Sequence, residues 1–129
     1  MFKLIRSSEI EICGKSIKFP CSIMRDPDGK PFIVTIDGLT LVNFYPKTQS
    51  ESKALGGLDM ETNIWAFDSQ GNLVWKVSPP TIRPYSQNPY TSVFEKDGKV
   101  FGGNWCGYDF EINVADGTVL PPKNPGRPW

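Results

Sequence analysis

The chain has 129 residues, with 14 Lys and Arg against 14 Asp and Glu and no histidine. That length suits one domain able to bury a core without staples, and the balanced charge leaves no global field steering the chain to nucleic acid or an anionic membrane. The missing histidine removes Ser-His-Asp and Cys-His nucleophile systems, histidine general bases and nearly all catalytic zinc sites.

Along the chain the apolar residues alternate, and the breaks fall at Gly, Asp, Asn and Pro, so helical periodicity is almost absent. EIEIC and SIKF, parted by Gly14-Lys15, predict a hairpin with Ile10, Ile12, Ile17 and Phe19 on a common face. DPDGKP turns the chain into FIVTI, and Asp37-Gly38 leads into LTLVNFY, both rich in β-branched and aromatic residues. Residues 46–62, PKTQSESKALGGLDMET, are polar and long for a loop inside a compact domain; such loops are often functional. NIWAF, a DSQG turn and NLVWKV predict a hairpin. SPPTIRPYSQNP has too many prolines for a central strand. YTSVFE, KDG and KVFGG predict a second hairpin, and NWCGYDFEINV with TVL a third. The tail 121–129 holds four prolines and is expected to be extended or loose.

The expectation is a mainly β protein with little helix. It is one domain over 1–120, an antiparallel sandwich or open barrel of consecutive hairpins, with short turns at Gly14, Gly29, Gly38, Gly71, Gly98 and Gly117. The N-terminus lacks the apolar core of a signal peptide, and no run approaches the roughly 18 apolar residues that span a membrane. The three cysteines, Cys13, Cys21 and Cys106, are odd in number and lack a CxxC pair. A cytoplasmic protein with reduced thiols follows, with pairing of Cys13 and Cys21 left open.

The stretch NIWAFDSQGNLVWKV, followed by YTSVFEKDGKVFGGNWCGYDFEINVADGTVL, resembles the blade pattern of PQQ-type and WD-type β-propellers. A propeller needs about four blades of roughly 40 residues, so the resemblance implies blade-like meanders within a smaller sandwich or half-barrel. The texture D-x-x-G-N-L-x-W … N-W-x-G-Y-x-x-E-I-x-x-x-x-G is similar to that of small β-rich immunity proteins of bacterial toxin systems. That resemblance implies a protein that binds and blocks one cognate toxin and has no catalysis of its own. It assigns no roles to individual residues.

The residues with the most chemistry to offer lie near the C-terminus. Asp109 and Glu111, two apart on a strand, sit about 7 Å apart, within the separation of glycosidase carboxylates. A solvent-facing polar row opposite Tyr108, Phe110 and Ile112 explains the same pair. Cys106 has no base in its flanking run to lower its pKa, and reads as a packed residue. Gly56-Gly57 and Gly102-Gly103 lack phosphate-loop spacing; the latter reads as a bulge or close backbone approach. Trp65, Phe67 and Trp75 are expected in the core. Tyr85, Tyr90, Trp105 and Tyr108 flank glycines or prolines and are expected at the surface, where such rings anchor interfaces. Asp59 and Glu61 in the irregular loop are further candidates for a cation or a basic partner.

No cofactor or metal set is legible. Residues 63–120 carry six acids against four bases, which suits a basic protein partner better than nucleic acid. The expected function is a non-enzymatic binding protein, in its specific form an immunity protein that neutralises a bacterial toxin, for instance a nuclease. A small carbohydrate-binding or carbohydrate-active domain built on Trp105, Tyr108, Asp109 and Glu111 is the alternative. A structural subunit docking through its proline-rich tail is the third.

Overall fold

The computed structural model describes residues 2–48, 50–51, 60–82 and 88–122. The described residues form ten strands and a 3-10 turn at Met60–Thr62. In chain order the strands are β1 (Phe2–Arg6), β2 (Glu9–Ile12), β3 (Lys15–Lys18), β4 (Ile33–Ile36), β5 (Leu39–Asn43), β6 (Ile64–Phe67), β7 (Leu73–Lys76), β8 (Tyr90–Lys96), β9 (Lys99–Asn104) and β10 (Asp109–Ile112). They make three antiparallel meanders, β1-β2-β3, β4-β5-β6-β7 and β10-β9-β8, none closed into a barrel. No helix among the described residues is long and apolar enough to cross a membrane.

Side-chain alternation makes the middle sheet the filling of a sandwich. Val42, Phe44, Trp65 and Phe67 pack with Ile10, Ile12, Ile17 and Phe19 of the first meander. Leu41, Ile64, Ala66 and Trp75 point the other way, onto Tyr90, Val93, Val100, Phe110 and Ile112 of the third. A sheet covered on both faces needs apolar residues at consecutive positions, which is why LTLVNF and IWAF read as continuous apolar runs. The first core carries an aromatic cluster: Phe19 lies 5.7–5.8 Å from the rings of Phe44, Trp65 and Phe67. As expected from sequence, Phe67 and Trp75 are buried; Trp65 is half-buried under the Lys76 ammonium, 4.6 Å from its ring centroid.

The hairpin grammar is of two kinds. Cys13-Gly14, Asp37-Gly38 and Asp97-Gly98 each have two successive positive φ angles, between 51° and 77°, the type I′ geometry that matches strand twist. Asp26–Lys30 and Asp68–Asn72 instead form five-residue loops, with the glycine at the fourth position left-handed, at 82–83°. In each, the aspartate Oδ1 accepts backbone N–H bonds from the third and fifth residues, all at 2.9 Å. At Asp68 these bonds, the Asn72 amide first, hold the carboxyl below its ordinary value. All six expected turn glycines have positive φ. The sequence reading missed β1, which pairs with β2 from Phe2↔Ile12 to Arg6↔Glu9.

A buried polar knot joins the middle sheet to β8. Asn63, 1% exposed, donates from Nδ2 to the carbonyls of Phe44 and Tyr90, both at 2.7 Å, and accepts the Tyr90 N–H at 3.0 Å. Asn43 donates to the Tyr90 carbonyl at 3.1 Å and to that of Asn63 at 3.3 Å. Beside them, Glu61 accepts from the Asn88 N–H at 2.9 Å and the Asn88 side chain at 3.3 Å.

Candidate functional site

The β8-β9-β10 meander has an inner and an outer face. Val93, Val100, Phe110 and Ile112 point inward. The pairings Asp109↔Gly103↔Ser92 and Glu111↔Phe101↔Phe94 therefore set two rows across the outer face, with Lys99 opposite Lys96 beyond them. Past β10 the chain returns alongside: Val119 bridges Ile112, and the Leu120 N–H bonds the Glu111 carbonyl at 3.0 Å. Leu120, half exposed to solvent at 50%, thus extends the second row.

These rows frame a groove of about 280 Å³ lined by Phe94, Lys96, Phe101, Asp109, Glu111, Leu120 and Pro121. Its floor is the Phe94–Phe101 pair, stacked with ring centroids 5.6 Å apart and planes 19° from parallel. Glu111 Oε1 lies 3.8 Å from the Lys99 ammonium. Partial burial raises the Asp109 carboxyl above its ordinary value, against the attraction of Lys96. Beneath Asp109, Gly103 lets two polar side chains close over the strand: a Cβ there would lie 2.5 Å from Ser92 Oγ and 3.1 Å from Asp109 Oδ1, and both would have to shift.

Of the six described residues among the eight singled out from sequence, the groove gathers Asp109 and Glu111. Residues 104–112 are not one strand. Asn104–Tyr108 is a third loop of the aspartate type, with Gly107 at φ 86°. Asn104 Oδ1 accepts the N–H groups of Cys106 and Tyr108 at 3.1 and 3.2 Å, and strand pairing resumes at Asp109. Trp105 sits on this loop, 39% exposed, and Tyr108 is half-buried against Phe110, rings 6.1 Å apart. Neither lines the groove.

Two expectations are overturned. Tyr90 is fully buried, edge-on to Phe110, and its hydroxyl donates to the Ser78 carbonyl at 2.8 Å. The flanking proline suggested surface, but the glycine opposite makes a slot: a Cβ on Gly102 would lie 2.8 Å from the Tyr90 ring. Burial, with Glu61 adding to it, pushes the Tyr90 phenol well above its ordinary value. Glu61 is 3% exposed and accepts from Asn88, so its carboxylate is turned into the protein rather than toward solvent. Asp59 and Tyr85 lie outside the described residues.

The sequence reading missed Phe94 and Phe101 as half-buried residues of the outer face. The signal was present: Val93-Phe94 and Val100-Phe101 are adjacent apolar pairs on strands, and one member of each must leave the core when only one face is covered. Cys13 is exposed while Cys21 and Cys106 are buried, and all three thiols are free. Burial, with the Glu51 carboxylate nearby, pushes the Cys21 thiol up to about 12. Glu51 also accepts from the Ser22 N–H at 2.6 Å and hydroxyl at 3.0 Å. Among the described residues no three His, Cys, Asp or Glu side chains converge as a metal site.

The class that these features define is an all-β, three-sheet domain with a small aromatic groove rimmed by carboxylates and lysines. Residues 5–123 match a domain family of unknown function, DUF7957, and the chain belongs to that family. No curated protein matches it.

Proposed function

We propose that the chain is a non-enzymatic binding protein that acts in the cytoplasm and recognises a protein through the outer face of β8-β9-β10. The observation that carries this reading is the groove itself: a half-buried, stacked phenylalanine pair with a charged rim on the outer face of the sheet. Aromatic anchors ringed by polar groups are what dominate interface energies. With no histidine in the chain, acid-base work would fall on Asp109 and Glu111, and Glu111 is already beside Lys99.

The specific form is an immunity protein that neutralises a basic bacterial toxin domain. Its support is the resemblance in turn-and-strand texture together with the carboxylates at the groove. Co-expression with a toxin encoded beside its gene should restore growth and give a complex that co-elutes. A neighbouring gene of metabolic type, or growth arrest that an excess of this chain fails to relieve, overturns it. The nearly parallel phenylalanine rings favour a second reading, a carbohydrate-binding face; a glycan array without hits removes it.

A further inference from the structure

The groove's dimensions and charges narrow what it accepts. At about 280 Å³ it falls just under the ~300 Å³ at which pockets for whole small-molecule ligands begin. One long side chain fits within such a space. The floor of Phe94 and Phe101 offers apolar surface for an aliphatic stem and ring quadrupoles for a cation.

Charge is distributed unevenly around that floor. Asp109 and Glu111 stand along β10, while Lys96 and Lys99 flank the Asp97-Gly98 turn at the end of the β8-β9 hairpin. Asp97 in the turn offsets one of the two lysines, which leaves the β10 side as the more acidic edge of the groove and the side to which a cationic head is drawn. The Glu111–Lys99 contact is long, at 3.8 Å, and the Lys99 side chain is 54% exposed. The Glu111 side chain itself is 24% exposed, so the carboxylate is partly shielded while its lysine is not; a pair this long with one solvated member contributes little and yields to a better-placed cation.

We infer that the groove takes one lysine or arginine side chain of a protein partner, its stem across Phe94 and Phe101 and its head at Asp109 and Glu111. This rests on the protein-binding reading above and names the chemistry of the contact.

Amide-resolved NMR titration of the intact chain tests it, with Nα-acetyl-arginine N-methylamide as the probe and the norleucine analogue as control. The arginine probe should give saturable shifts at Phe94, Phe101, Asp109 and Glu111 that weaken with added salt. The norleucine probe should give none, and the Asp109→Asn/Glu111→Gln double variant should lose the arginine response. Absence of localised shifts with arginine, or equal shifts with norleucine, overturns the inference. With a protein partner in hand the two levels separate. A complex weakened about tenfold or more by Phe94→Ala, yet indifferent to the charge-neutral double variant at low and high salt, sinks the cationic chemistry and leaves protein binding standing. A complex indifferent to both removes this face as the binding surface, and the reading beneath it falls too.

Discussion

Replacing Asn63 by alanine should cost more than any surface change in this protein. The side chain is 1% exposed and makes three hydrogen bonds, two to carbonyls at 2.7 Å and one from the Tyr90 N–H at 3.0 Å. Each bond contributes about 1 kcal/mol net, and a buried group left unpaired costs about 1–3 kcal/mol. Alanine removes all three bonds and strands the Tyr90 N–H, so the loss should be about 3–5 kcal/mol, a large share of the ~5–15 kcal/mol typical of a domain. Urea unfolding followed by tryptophan fluorescence should show a lowered midpoint with an unchanged slope, and the melting temperature should fall by about 10–20 °C. Asn63→Asp sharpens the test, because it sets a carboxylate against the Phe44 and Tyr90 carbonyls. Its folded pKa should lie above the ordinary ~3.9, so the penalty is absent below that value and grows until the pH passes the folded pKa. A loss under about 1 kcal/mol for alanine, or a pH-independent one for aspartate, would refute the view that this amide ties the middle sheet to β8.

The neighbouring glycines of β9 should respond oppositely to alanine. At Gly102 the new methyl meets the Tyr90 ring and Ile64, both fixed in the core, and overpacking of that kind costs about 1–3 kcal/mol by chemical denaturation. At Gly103 its close contacts are the ends of the Ser92 and Asp109 side chains, which can turn away, and the Phe94 ring at 3.9 Å is at ordinary contact distance, so stability should hold while the amide shifts of Asp109 move. Of the three thiols, Cys13 alone is exposed; a chromogenic disulfide reagent should titrate one thiol quickly in the native protein and all three in denaturant, and a Cys13–Cys21 disulfide would show as none. Burial raises the Asp109 carboxyl, so ionising it opposes folding: relative to Asp109→Asn, wild type should gain stability as pH falls from the folded pKa toward the ordinary carboxylate value. A wild-type advantage that grows with rising pH would contradict that sign.

How far the sequence revealed all this depends on what each feature rests on. Turns are local, and the left-handed glycines at 14, 29, 38, 71, 98 and 117 were legible because no other residue fits such positions cheaply. The Asn104–Tyr108 loop was equally local and still misread. NWCGY has the same asparagine-or-aspartate and glycine spacing as DPDGK and DSQGN, but its tryptophan, cysteine and tyrosine imitate a strand. Tyr90 and Glu61 were misplaced for another reason: each is defined by a partner far along the chain, Gly102 for the ring and Asn88 for the carboxylate. The outward facing of Asp109 and Glu111 was legible because period-two alternation alone sets them opposite Phe110 and Ile112.

Next to the groove β9 carries two glycines in succession, and they divide the labour between the faces of the sheet. Gly102 opens inward, and the Tyr90 ring fills the slot against Ile64 and Phe110. Filling it brings Tyr90 within reach of the Asn63 amide and the Ser78 carbonyl, which fixes the end of β8. Gly103 opens outward, and Ser92 and Asp109 lean across it beside the Phe94–Phe101 pair. A larger residue at 102 would drive Tyr90 out and slacken β8; a larger one at 103 would part the polar row and leave the rings in place. The position of the carboxylates over the aromatic floor is therefore inherited from the core directly beneath, so the outer face should be preformed and should change little when a ligand arrives.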